Sequence, residues 1–453
     1  MTGTISNKDT FFFSLINPNQ NFFAIFFAVF VTLLIVENVD FIVARFIADF
    51  NTSIQGITLF IIISTTYIFG QTLLVKFMNS ASHAIKARSG LITGLHRAVS
   101  VVQYVLAANI ILIIIQILVI SKYSILSLTF VAYVSNFLTA ILLAVFAIRF
   151  VSWYRNKKNS LGILLFALAF LILAVSEVVA GVGSAYLISQ KDQVITPSSK
   201  IEYRSFPEGS LLNAFFSYYS YIDYASFLLT IVASALLLYH YSKKTKRPKI
   251  ILIIVLPIFG YTGTILDSLN IYDTDTNPNL FDYYIFQSLM SISGGVLFAI
   301  SFWFISRGLP ETPVKTFLKI TAFGFILLYL SNHVDVNQAA YPPYGINSLS
   351  LLPLASYFVL FGLYASGLSL SQDITLRQHL RSMARNDENL LSSIGTAQME
   401  TEVKRAVGEL KEVADEHEKE LAEKTGIETP IAENEVEDYL KQVIEEVSRA
   451  RKK

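Results

Sequence analysis

The chain contains no cysteine. That excludes disulfides, thiolate metal sites and thiol nucleophiles, and says nothing about compartment. Charge is scarce as well: Asp, Glu, Lys and Arg make up 15% of residues, against roughly 25% in a soluble domain. With a net charge of only +1, nothing points to a nucleic-acid partner. Catalytic motifs are missing too. No G-x-x-x-x-G-K-[ST] phosphate loop, H-E-x-x-H or G-x-S-x-G occurs. The six histidines fall in loops, span ends or the tail, so no bis-histidine haem is expected. "DTDTNPN" at 273–279 spaces oxygens as a calcium loop would. But Pro278 stands where the sharp turn needs glycine, and Tyr284 replaces the bidentate glutamate. No cofactor is expected, and whether any metal binds is left open. The start, "MTGTISNKDT", has neither the basic character nor the cleavage site of a signal peptide.

What is present is apolar. Hydrophobic residues make up 53% of the chain and the mean hydropathy is +0.52. That much apolar surface cannot be covered by so few polar groups, so lipid must serve as solvent for much of it. A hydrocarbon core needs about 20 apolar residues per helix. About ten such spans are readable: 20–40, 54–77, 98–120, 125–151, 161–188, 218–241, 250–270, 282–305, 315–333 and 348–370. The expected fold is therefore all-α, a polytopic transmembrane bundle over 1–370. A charged, amphipathic helical or coiled-coil tail follows over 371–453.

Basic residues assign a side to each connection. Lys86, Arg88 and Arg97 follow span 2, "RNKKN" follows span 4, "SKKTKRPK" follows span 6, and Arg307 and Lys315 follow span 8. The alternate loops are acidic or neutral. The reading is a cell-membrane protein with both termini cytoplasmic. Asn51 then heads an outer N-x-S sequon, a glycosylation candidate.

Carboxylates inside a bilayer are costly and mark function by default. Glu177 is the deepest, and Ala174, Ala180, Gly181 and Ser184 share its helical face. So small a face lets another helix approach, which points Glu177 into the bundle. Asp267 shares a face with Gly260, Gly263 and Thr264. Asp223 lies among tyrosines; Glu37 and Asp40 end span 1; His333 and Asp335 follow span 9. On the assigned topology all seven fall toward the outer half. The inner halves are mostly apolar, with Gln71, Gln103 and Arg149 as exceptions. This asymmetry suggests an outward polar vestibule above a dry seal, the seven forming a candidate ligand- or ion-binding set. The plainer alternative is residues at the waterline, an aromatic belt and hydrogen-bonded glue. For "SNHVDVNQAAYPPYG" (331–345), the plain reading is a solvated helix end and a proline-stiffened turn into span 10.

Composition changes at Ser371. Residues 371–453 carry 19 Asp/Glu against 13 Lys/Arg, while 1–370 carry 15 against 22. Arg377, Arg381 and Arg385 recur every fourth residue, a basic face suited to anionic headgroups at the membrane surface. Met399, Val403, Ala406, Leu410 and Val413 form a heptad seam, resumed at Val436, Leu440, Val443 and Val447. Segment 399–447 could therefore dock a cytoplasmic protein or self-associate. Two functions fit: a membrane sensor or scaffold, a signalling role, or a secondary transporter using intramembrane carboxylates for proton or cation coupling. Only 12 prolines and 21 glycines favour the first, because moving carriers tend to use more broken helices. No nucleophile–base set argues for an enzyme.

Overall fold

The computed structural model describes residues 27–36, 39–40, 52–86, 90–156, 160–189, 194–197, 211–241, 295–310, 312–332, 341–383 and 390–425. These residues are predominantly helical. In chain order the helices are α1 (Phe27–Val36), α2 (Ile54–Lys86), α3 (Gly90–Ile120), α4 (Ile125–Asn156), α5 (Leu161–Ser189) and α6 (Leu211–Tyr241). Then come α7 (Gly295–Gly308), α8 (Pro313–Asn332), α9 (Ile346–Gln372), α10 (Ile374–Met383) and α11 (Leu390–Thr425).

Six stretches are long and apolar enough to cross a membrane: 54–82, 92–120, 125–156, 161–183, 313–331 and 346–372. Only a helix satisfies all its own backbone groups in hydrocarbon, which is why such runs fold this way. Three further expected spans meet shorter apolar helices, 27–36, 228–239 and 295–308. The expected span at 250–270 lies outside the described residues.

Local chemistry sets several boundaries. Ser53 caps α2 by accepting the Gly56 N–H on Oγ at 3.1 Å. Asp373 does the same for α10, accepting the Leu376 N–H at 2.9 Å, so a new helix starts one residue after α9 ends. The α3–α4 turn is held by Gln116, whose Oε1 accepts the Ser124 N–H at 3.0 Å. A two-stranded antiparallel clip, β1 (Tyr123–Ser124) with β2 (Val194–Ile195), ties that turn to the connection after α5. Nothing in the hydropathy pattern announces so short a clip.

Helix α9 is the axis of the bundle. Its whole apolar window is buried, and α2, α3, α4, α8, α10 and α11 all pack on it. The contacts give directions. Ser64 meets Asn347 and Gln71 meets Ser350, so α2 and α9 run parallel. Gln103 meets Ser350 and His96 meets Tyr357, so α3 is antiparallel. Helix α8 is antiparallel to α9 through Gly324 against Phe358 and Gly362 against Phe317. These directions group the turns around 53–56, 121–124, 194–197 and 341–346 at one end.

Apolar burial drives little association in lipid, so packing must hold the helices together. Helices α8 and α9 cross at contact distance: a Cβ on Gly362 would lie 2.7 Å from the Phe317 carbonyl oxygen. An aromatic layer fills the space between α4, α5, α7 and α8. Phe298 and Phe302 both stack on one ring, Phe325, at 4.4 and 5.6 Å. Phe170 joins it at 6.0 Å. Such pairs contribute about 0.5–1.5 kcal/mol each beyond area burial.

Candidate functional site: a polar file along the central helix

The N-terminus of α9 is tied down by a residue from the far end of the chain. Gly345 adopts φ 88°, a left-handed conformation that glycine reaches without Cβ strain. This turns its N–H toward Asp40, whose Oδ2 accepts it at 2.8 Å. Asp40 is fully buried, and its Oδ1 has no hydrogen-bond partner among the described residues. A carboxylate here also complements the positive end of the α9 dipole. Tyr344 donates its hydroxyl to the Gly56 carbonyl at 2.6 Å and meets Phe60 edge-on. Tyr341 stacks on Tyr123 at 6.3 Å.

The expected solvated helix end at 333–340 lies outside the described residues. The proline-stiffened turn at 341–345 is buried, with Tyr341 and Tyr344 each 3% exposed. Its backbone can be buried because its donors are used. Tyr344 N–H reaches the Pro342 carbonyl at 2.9 Å, and the prolines have none to place. Burial pushes the phenols of Tyr123, Tyr341 and Tyr344 upward; for Tyr344 the nearby Asp40 charge adds to this.

Below this plug, polar side chains from three helices converge. Asn347 donates to Ser64 Oγ at 3.0 Å. Ser350 donates to the Asn347 carbonyl at 2.6 Å and accepts from Gln71 Nε2 at 2.5 Å. Gln103 Nε2 donates to the Ser350 carbonyl at 3.1 Å. Further along, Tyr357 Oη lies 3.3 Å from His96 Nδ1. All of these side chains are buried. The sequence reading treats Gln71 and Gln103 as isolated exceptions in an apolar seal; the fold brings both to one serine. A signal was present in the spacing. Ser64, Tyr67 and Gln71 share a face of α2, His96 and Gln103 a face of α3, and Asn347, Ser350 and Tyr357 a face of α9.

Of the seven carboxylate and histidine candidates, Glu177 and Asp40 can be placed. Glu177 is 1% exposed, on the stripe of α5 that includes Phe166, Phe170 and Leu173. Its small face is used for packing: a Cβ on Gly181 would lie 3.1 Å from Asn136 Cβ. Asp40 and Glu177 are not in one cluster, since one caps α9 and the other belongs to the α4–α5 layer. Asp223 lies in α6, with its side chain outside the described set. Glu37, Asp267, His333, Asp335, Asn51 and Arg385 lie outside the described residues. Among the described residues, no three His, Asp or Glu side chains gather as metal ligands do.

At the opposite end of α9 the tail returns to the bundle. Leu390, Leu391, Ile394 and Ala397 are buried, Leu390 against Gly162. Trp153 donates its indole N–H to Gln398 Oε1 at 2.9 Å and stacks on Tyr364. Asn156 donates to Thr401 Oγ1 at 2.8 Å, and Ser371 to Glu402 at 3.1 Å. Arg377 is turned into this junction rather than outward: it is 7% exposed and donates to the Ser371 carbonyl at 2.9 Å. The side chain of Arg381 is outside the described set. Of the expected seam, Met399 contacts Arg377 and Val403 is buried, so its first turns meet the protein's own residues.

No family model matches the chain, and comparison with curated proteins and with solved structures finds no match.

Proposed function

We propose that the chain is an integral membrane sensor or scaffold of the cell membrane, with about ten spans and both termini cytoplasmic. In this reading a ligand acts at the outer end, on the Asp40–Tyr344–Gly345 plug or on the acidic outer connections. The cytoplasmic tail, 371–453, reports to a partner protein or a second copy through 399–447. The observation that carries it is the continuity of α9. One buried helix has its N-terminus held by Asp40 and its C-terminus within the tail junction. Close-packed helices shift as units between discrete arrangements, so a displacement at one end of α9 can pass through the helix, Pro353 included, to the other. The test is to perturb one end and read the other. Asp40→Ala in nanodisc-embedded protein should change protease protection of 390–425 without loss of the helical bundle. If no outer-end substitution alters tail protection, this reading fails.

A second reading is supported by Glu177. A carboxylate 1% exposed among apolar helices is the kind of group a secondary transporter uses for proton or cation coupling, with Asp267 as its expected companion. Proteoliposomes carrying an interior pH dye distinguish the two. Solute-driven proton movement that is lost in Glu177→Gln would establish transport and displace the sensor reading.

A further inference from the structure

We propose that the α2–α3–α9 interface holds one small monovalent cation, bound by the side-chain oxygens of Gln71, Gln103 and Asn347 with the Tyr67 hydroxyl beside them. The chemistry of Ser350 sets the amide orientations. Its Oγ–H is spent on the Asn347 carbonyl at 2.6 Å. Toward Gln71 that oxygen can then only accept, so Gln71 must present its NH2 group. The Ser350 carbonyl is an acceptor only, so Gln103 must do the same. Gln103 cannot flip without setting oxygen against oxygen, and Gln71 can flip only if Ser350 gives up the Asn347 carbonyl.

Both Gln Oε1 atoms are thereby left over, and neither has a partner among the described residues. The same holds for Asn347 Oδ1, one turn before Ser350, and for Tyr67 Oη, one turn before Gln71. All four side chains are at most 2% exposed. The leftover amide atoms are all oxygens. Unpaired buried acceptors are costly, and a set of them on three helices is met by a cation at the centre.

Amide and hydroxyl oxygens suit hard cations. Calcium and magnesium sites draw on carboxylates, and this set contains none, so a divalent charge would be poorly compensated. A monovalent ion asks less. The positive end of the α9 dipole would repel it, but Asp40 on the Gly345 N–H offsets that field. The site does not depend on either reading above: a sensor or a carrier could equally contain it.

The test uses purified full-length protein in nanodiscs, with thermal unfolding followed in NaCl, KCl and choline chloride at equal ionic strength. Na+ or K+ should raise the melting temperature saturably, and choline should not. In Gln71→Leu and in Gln103→Leu the half-saturating concentration should rise about tenfold, the loss expected for one ligand oxygen. Equal melting in all three salts would overturn the proposal and leave these oxygens to water. So would an unchanged titration in the double variant, which would locate the cation elsewhere. Equilibrium binding of radiolabelled Na+ to the wild-type chain decides the matter if the variants do not fold. Saturable binding near one per chain, displaced by unlabelled Na+ or K+ but not choline, supports the site; no saturable binding removes it.

Discussion

The two ends of α9 are built on different chemistry. At its N-terminus a carboxylate, two tyrosines and a file of amides hold the helix, and several of their oxygens remain unused. At its C-terminus close packing is added to the hydrogen bonds of Trp153, Asn156, Ser371 and Arg377. A Cβ on Gly367 would lie 2.8 Å from Ile394, and one on Gly395 2.8 Å from Leu370. Trp153 and Tyr364 stack there at 6.4 Å, with Arg149 over the Tyr364 ring at 5.5 Å. Hydrogen bonds inside membrane proteins average well under about 1 kcal/mol each, and partners can be exchanged. Close packing tolerates no such exchange. The difference assigns adaptability to one end and fixed transmission to the other.

Substitutions at the packed end should therefore cost most. Trp153→Ala removes a large buried ring and the donor to Gln398, so a loss of about 3–5 kcal/mol is expected. It should appear as early proteolysis within 390–425 and a lower melting temperature. Gly362→Val forces a side chain into the Phe317 backbone and should cost about 1–3 kcal/mol, separating α8 from α9. Gln398→Ala should cost about as much as Gly362→Val and less than Trp153→Ala. It leaves the buried Trp153 N–H without its acceptor, an expected cost of about 1–3 kcal/mol, and should loosen the tail while sparing the N-terminal end of α9 in hydrogen exchange. Tyr344→Phe at the polar end should cost least, about 0.6–1 kcal/mol, because only the bond to the Gly56 carbonyl is lost. A Tyr344→Phe penalty as large as that of Trp153→Ala would erase the contrast between the two ends.

How far the sequence foretold this depends on the range of each interaction. Span positions follow from local hydropathy, and the inward face of Glu177 from Ala174 and Gly181 one turn away. Both are properties of a few consecutive residues. The central place of α9 is harder to read, since hydropathy does not separate a helix facing lipid from one facing other helices. The clue lay in its composition: Asn347, Ser350, Ser356, Gly362, Ser366 and Gly367 are small or polar residues that a lipid-facing surface does not need. The Asp40–Gly345 bond joins residues 305 apart, and no periodicity encodes such a pairing. The tail boundary drawn at Ser371 followed charge. Yet "LLSSIGTAQ" (390–398) carries none, and that uncharged stretch is the part that inserts against Gly162, Gly367 and Leu370.

The central claim, that the beginning of α11 seals the end of α9, is open to a direct chemical test because the chain is naturally free of cysteine. Leu370→Cys with Gly395→Cys, and Gly295→Cys with Tyr329→Cys as a control inside the bundle, set two Cβ atoms 2.8 Å apart, tighter than the roughly 3.5–4.5 Å of a disulfide, so each bridge closes once its two helices part slightly. Mild oxidation in intact membranes, followed by digestion and mass spectrometry, should join the 370 and 395 peptides within one molecule. Free thiols at 370 and 395, or bridges only between molecules, while the control pair closes, would contradict the account.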